Sequence, residues 1–326
     1  MADMVDTNSF KNGMHIELDG KVWRILEFQH VKPGKGGAFV RTKLKSLDAG
    51  AVVDRTFRAG EKFPRVHTEV KNVQYLYDDG SDVHFMDSAS YEQFAVPHSE
   101  IEDELELLRR ACAVTDRVFE RLTEVSFVGR TERDVSWDLA QLFHEEGGED
   151  LAFESIVGAG PTGSRPHARA GDRKIGAGEL VVIDAGCTIG GYASDYTRTF
   201  ATGPLDSEAK DAYEVVLLAQ QAALDGIHAG ISGVDADALA RSVIDDSPFA
   251  GKLGHGLGHG LGLDVHEAPR LSKESNDVLE PGNVVTVEPG VYVEGKFGIR
   301  IEDDVVVTPD GIENLTGFRK DLIEVS

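Results

Sequence analysis

Two stretches of this chain read as buried β-strands that end in an acid. One is Leu180-Val181-Val182-Ile183-Asp184-Ala185-Gly186, and the other is Val284-Val285-Thr286-Val287-Glu288-Pro289-Gly290. Each is followed by a second acid-bearing stretch, Ser194-Asp195-Tyr196-Thr197-Arg198-Thr199-Phe200 and Gly298-Ile299-Arg300-Ile301-Glu302-Asp303-Asp304. Turn residues lie between the members of each pair: Ile189-Gly190-Gly191 in the first, Glu294-Gly295 in the second. Antiparallel strands joined by a short turn pair positions that are symmetric about it. That register sets Asp184 opposite Asp195 and Glu288 opposite Glu302. Carboxylates opposed across a sheet and surrounded by apolar sequence repel each other and lose their hydration. A fold that buries two such pairs needs cations at the same place.

A histidine is available to join them. His259 lies in Gly254-His255-Gly256-Leu257-Gly258-His259-Gly260-Leu261-Gly262-Leu263-Asp264-Val265-His266-Glu267. Four carboxylates and one imidazole form an oxygen-rich donor set suited to divalent ions. Four negative charges balance two such ions, and a water between them ionises near neutral pH. The expected ligands are Asp184, Asp195, His259, Glu288 and Glu302.

The surrounding chain divides in two. Residues 8–95 come as short apolar stretches broken by Gly, Pro and Asp-Gly, with no helical period, which predicts small β-barrels. Asp78-Asp79-Gly80 marks a hairpin there. From residue 99 the period changes. Ser99 with Glu102 is a capping-box pattern, and Ile101, Leu105, Leu108, Cys112, Thr115, Phe119 and Leu122 step by three and four. Cys112 falls on that apolar stripe and is expected in the core. A second helix is expected from Thr131 to Gly147, a third from about Ser207 to Ile227, and a fourth from near Val234. Strand-rich blocks at 153–200 and 284–308 alternate with these helices, which predicts two similar α+β halves. The boundary between the two parts falls at Ala95-Val96-Pro97-His98.

Charge follows the same division. The net charge is −24. Residues 1–98 hold 13 Lys+Arg against 14 Asp+Glu, so nearly the whole excess belongs to residues 99–326. Residues 11–62 are basic, with 11 Lys+Arg against 6 Asp+Glu. The basic module could approach nucleic acid, and the acidic one should repel it. No apolar run approaches the length of a membrane span, so no membrane partner is expected. The start Met1-Ala2-Asp3-Met4-Val5-Asp6 does not read as a signal peptide. Two cysteines make no disulfide framework, which points to a reducing cytoplasm.

Five motifs, "VIDAG", "SDYTRTF", "GHGLGHGLGLDVHE", "TVEPGVY" and "GIRIEDD", carry a resemblance. Over about residues 100–326 the chain resembles the catalytic domain of the proline-specific metallopeptidases, aminopeptidase P and prolidase. The resemblance implies the pita-bread fold shared with methionine aminopeptidase. It places the metal ligands at Asp184, Asp195, His259, Glu288 and Glu302. It also implies a catalytic role for Glu288 as proton acceptor, and substrate-side histidines at His167, His255 and His266. Arg300 and Tyr292 are implied as residues behind the ligands, with Asp264 a weaker candidate. The implied cofactors are two divalent ions, Mn²⁺ first, with Co²⁺ or Zn²⁺ as alternatives. The implied substrates are short peptides with proline at the second position, and a homodimer is an expected assembly. These peptidases commonly carry a separate N-terminal domain, and here a β-rich head stands instead.

The head has its own resemblance. Residues 8–93, through "NGMHIELDGKVWRILEFQHVKPGKGGAFVRTKLKSLDAGAVVDRTFRAGEK" and "YLYDDGSDVHFMD", resemble bacterial elongation factor P. That family relieves ribosomes stalled on consecutive prolines. The match spans the first, SH3/KOW-like barrel and the opening of the OB-type second one. It implies Lys35 as a modification site and weak ribosome or tRNA contact through residues 11–62. The expected domains are therefore 1–65, a first β-barrel; 66–97, truncated OB-type strands and junction; and 98–326, the pita-bread peptidase. The leading function is Xaa-Pro bond cleavage, and the alternative is a translation factor that carries the peptidase domain as passenger.

Overall fold

The computed structural model describes residues 4–31, 38–46, 52–67, 73–87 and 90–325. Lys35 lies outside them, as do the side chains of the expected capping pair Ser99 and Glu102. The chain forms two compact units, Met1–Glu102 and Asp103–Ser326.

The first unit is all β. Met4–Asp6, Lys62–Val66, His15–Leu18, Lys21–Val31, Phe39–Ser46 and Val52–Arg58 lie in that order in one antiparallel sheet. Ile16, Ile25, Leu44, Phe57 and Phe63 close on Phe10 as a small core. A second sheet joins Val73–Asp78, Asp82–Asp87 and Gln93–Pro97. Its first turn forms at the expected Asp-Asp-Gly, where Asp79 Oδ1 accepts from the amides of Ser81 and Asp82.

The second unit is built as two α+β halves. Helix α1 spans His98–Leu122 and α2 spans Glu132–Glu145; Thr131 caps α2 in a reciprocal pair with Asp134. They cover a sheet ordered Ile156–Ala159, Leu180–Ala185, Tyr196–Ala201, Ile323–Glu324. Helices α3, Ser207–Gly226, and α4, Gly233–Asp245, pack with a five-stranded sheet that contains Gly258–Gly260, Val284–Val287 and Asp303–Thr308. Gly290–Val293 and Phe297–Arg300 form a separate hairpin. Among the described residues, no helix is long and apolar enough to cross a membrane.

Side-chain alternation decides what faces the helices. Val181, Ile183, Ala185, Tyr196 and Phe200 pack in the core under α1 and α2. Asp184, Asp195 and Thr197 must then point to the other side of that sheet. Val285, Val287, Ile299 and Ile301 belong to the core under α3 and α4, which turns Glu288, Arg300 and Glu302 away from it.

One expected register is corrected. Asp184 pairs with Thr197, not with Asp195. The turn is a two-residue loop, since Ile189 pairs with Tyr192 and both Gly190 and Gly191 adopt positive φ, 58° and 90°. This moves the axis of symmetry by one residue and the partner of Asp184 by two positions, from Asp195 to Thr197. Asp195 thus sits diagonally from Asp184 on the same face. The second register holds on both sides of the acids: Val287 pairs with Asp303, and Gly290 with Arg300, so Glu288 and Glu302 face each other where both strands break.

Candidate metal centre

His259 is delivered by the short strand Gly258–Gly260, which enters between two neighbours with no room for side chains. A Cβ on Gly258 would stand 2.0 Å from the Thr286 carbonyl, and one on Gly260 2.2 Å from the Ala268 carbonyl. The glycines flanking the histidine are therefore required for this approach. His259 Nδ1 donates to the Gly260 carbonyl at 3.1 Å. A carbonyl only accepts, so the proton is on Nδ1 and the Nε2 lone pair is free. Burial holds this imidazole down to about 4, so it is neutral.

That lone pair faces acids. Nε2 is 3.4 Å from Glu288 Oε1 and 3.7 Å from Asp195 Oδ2. Ligand atoms of Asp195, His259 and Glu302 all lie within 4.8 Å of one another. Asp184 is turned to Arg300, whose Nη2 donates to Asp184 Oδ2 at 2.5 Å, while Asp184 Oδ1 is buried with no hydrogen-bond partner. All five expected ligands line one cavity of about 580 Å³ together with His167, His255 and His266.

The electrostatics are those of a site short of positive charge. Burial pushes the Asp195 carboxyl well above the usual range, and the charges of Asp184, Asp304 and Glu288 push it further. Burial does the same to Glu302, with Asp195 and Glu288 adding to it. Glu288 is raised to about 8, burial first. Arg300 is the one guanidinium lining this cavity that is also fully buried, and it cannot offset the whole set. An orphaned carboxylate oxygen, a bare imidazole lone pair and acids kept from ionising together fit divalent cations.

The remaining expected residues divide. His255 Nδ1 donates to the Gly256 carbonyl at 2.7 Å, so its Nε2 accepts from the Tyr292 hydroxyl at 2.8 Å. Arg300 Nη1 donates to the same hydroxyl at 2.8 Å. A directed chain thus runs from Arg300 through Tyr292 to His255, and burial keeps His255 neutral, down to about 3. The ring of His266 lies 4.2 Å from that of His259, and its side chain is exposed to the cavity. His167 is exposed on the same wall. Asp264 is exposed and is not among the residues that line the cavity.

Three supporting groups were not foreseen. Thr197 Oγ1 donates to Glu302 Oε2 at 2.6 Å, and Asp304 Oδ2 accepts from the Asp195 amide at 3.1 Å. Arg241 on α4 donates to the carbonyls of Leu253 and His255 while paired with Asp237, which fixes the loop that carries His255. Only Thr197 had a signal, its place opposite Asp184 in the correct register.

Residues 106–309 match metallopeptidase family M24. The chain belongs to that family. The M24 match covers the helices and sheets that carry every residue of the site, and membership implies divalent metal ions. The head matches two further families, the elongation factor P KOW-like domain at 6–63 and the elongation factor P OB domain at 68–115. M24 relatives include the "Probable dipeptidase PepE" of Mycobacterium bovis, 42% identical over 69% of this chain and 60% of that protein. The "Xaa-Pro dipeptidase" of Pyrococcus furiosus is 33% identical over 81% of this chain and 79% of its own length. Among solved structures, the Xaa-Pro dipeptidase from Bacillus anthracis superposes with a TM-score of 0.68 at 40% identity, covering 69% of this chain and 63% of that one. The chain spans about 60% of the length of the curated relatives it matches first. The M24 domain is thus of the pita-bread type, preceded by elongation factor P-like β domains.

Proposed function

We propose that this chain is a two-metal peptidase that cleaves the bond before proline in short peptides with proline at the second position. The observation that carries it is the convergence of Asp195, His259 and Glu302 on one point of a cavity also lined by Asp184 and Glu288. The relatives named as Xaa-Pro dipeptidases support the choice of bond. The five ligands are Asp184, Asp195, His259, Glu288 and Glu302, and Mn²⁺ is the first candidate, ahead of Co²⁺ and Zn²⁺. Held by these residues, two such ions would supply polarisation of the scissile carbonyl and a water that is nucleophilic near neutral pH.

The chain's own groups do the rest. Glu288, on the cavity wall 3.4 Å from His259 Nε2, takes up a proton at its carboxylate and returns it. His255 accepts from Tyr292 and stays neutral, so it orients the substrate side of the cavity without adding charge. His266 and His167 are exposed to the cavity, where one hydrogen-bonds substrate and the other passes a proton to the leaving proline nitrogen. Arg300 fixes the orientation of Asp184 and leaves its second oxygen for a cation. The test is hydrolysis of matched Xaa-Pro and Xaa-Ala peptides by metal-stripped protein supplied with Mn²⁺. Cleavage confined to the Xaa-Pro peptide supports the assignment. Equal cleavage of both, or none of either, contradicts it.

A further inference from the structure

Arg198 follows Thr197 on the strand Tyr196–Ala201 and points to the opposite face, into the core. It is 2% exposed. A buried guanidinium has five N–H donors to satisfy, and here each has an acceptor. Nε donates to the Arg319 carbonyl at 3.1 Å. Nη1 donates to the carbonyls of Thr197 at 3.0 Å and Glu302 at 2.5 Å. Nη2 donates to Asp303 Oδ1 at 2.8 Å and to the Phe318 carbonyl at 2.7 Å. The guanidinium carbon lies 4.6 Å from the centre of the Tyr196 ring, and Lys320 Nζ meets the other oxygen of Asp303.

The acceptors share a pattern. On the cavity face, Thr197 and Glu302 meet through hydroxyl and carboxylate. On the core face, Arg198 holds the backbone carbonyls of the same two residues. The pair is therefore gripped from both sides, and the strand break that turns the Glu302 carboxylate inward is tied to the segment around Phe318.

We propose that Arg198 is a positioning residue for the metal centre: it sets the backbone of Glu302 from behind, so that the carboxylate is presented to the cations. This rests on the two-metal assignment above. Lysine cannot substitute, because its three donors radiate from one atom and cannot span five acceptors in a plane.

The test uses the full chain, metal-stripped, titrated with Mn²⁺ by calorimetry and melted in parallel. Arg198→Lys is compared with wild type and with Ile244→Ala, a core truncation on α4. Wild type should bind Mn²⁺. Arg198→Lys should bind at least one ion about tenfold or more weakly. Ile244→Ala should melt lower yet bind as wild type does. Wild-type affinity in Arg198→Lys, or a loss no larger than in Ile244→Ala, overturns the proposal with the metal assignment intact. A wild type that binds no Mn²⁺ removes both. Amide exchange on wild type gives a second readout that does not depend on the variant folding. The amides of Gly317 and Phe318, which donate to Asp116, should exchange more slowly once Mn²⁺ is bound, although they lie outside the cavity. Slowing at residues 300–304 alone would overturn the coupling.

Discussion

Thr197 donates its hydroxyl proton to Glu302 Oε2 at 2.6 Å, a bond that ties the first acid-bearing hairpin to the second. The same hydroxyl accepts from Arg300 Nε at 2.9 Å. One small side chain therefore sets the orientation of a carboxylate from one half and the one buried guanidinium of the cavity. Neither hairpin holds its acids in place alone.

Replacing Thr197 by valine keeps the shape and removes both bonds. Arg300 Nε would lose its partner, at a cost of about 1–3 kcal/mol for a buried donor left unsatisfied. Mn²⁺ affinity should fall by about 10- to 100-fold, the range found when a group behind a ligand is removed. Calorimetric titration and a thermal melt of the same samples check both figures, and an unchanged affinity would detach Thr197 from the metal centre.

The metal-free protein should lose stability as pH rises. Glu288 is raised to about 8, and Asp195 and Glu302 are raised well above the usual range, each chiefly by burial. Below about pH 6.5 the imidazoles of His255 and His259, neutral in the fold but protonated in the unfolded chain, oppose this; between about pH 6.5 and about pH 8 the folded state holds more protons than the unfolded one, and stability falls with increasing pH. Cations that replace those protons should remove the slope, with proton release on binding. Urea melts from about pH 6.5 to about pH 8, with chelator and with Mn²⁺, measure this. Stability of the chelated protein that rises with pH would contradict the charge deficit.

His266→Ala should separate binding of metal from turnover. The ring sits beside His259, and the side chain is exposed to the cavity. Loss of a proton-handling or hydrogen-bonding group at the reacting atoms lowers kcat by about 10²-fold or more. Metal content should be that of wild type. Measured loss of Mn²⁺ would instead make His266 a ligand.

Much of this arrangement was legible in the chain, for physical reasons that differ by residue. Glu288 and Glu302 were placed because a register symmetric about Gly295 survives through both flanking strand pairs. Asp184 and Asp195 were brought to the same face but assigned the wrong partner. A turn of Ile189-Gly190-Gly191 admits more than one axis, and only the backbone decides that Gly190 and Gly191 form the loop. The α+β halves followed from apolar periodicity, which local sequence carries in full. Arg198 and Asp304 were out of reach, because their partners lie more than 100 residues away, at Glu302 and Asp195, and no local pattern records such contacts. The orientation of Asp184 toward Arg300 has the same cause.

The central claim is that the acids carried by two hairpins hold a pair of catalytic cations. Asp195→Asn tests it most directly, since it keeps size and hydrogen-bonding capacity and removes one of the charges that balance the metals. Mn²⁺ per chain and turnover of an Xaa-Pro peptide should be measured in the same sample, beside wild type. The expected result is about two ions per wild-type chain with turnover, and in the variant a loss of bound metal with turnover abolished. Near-normal metal content and activity in Asp195→Asn would contradict the account.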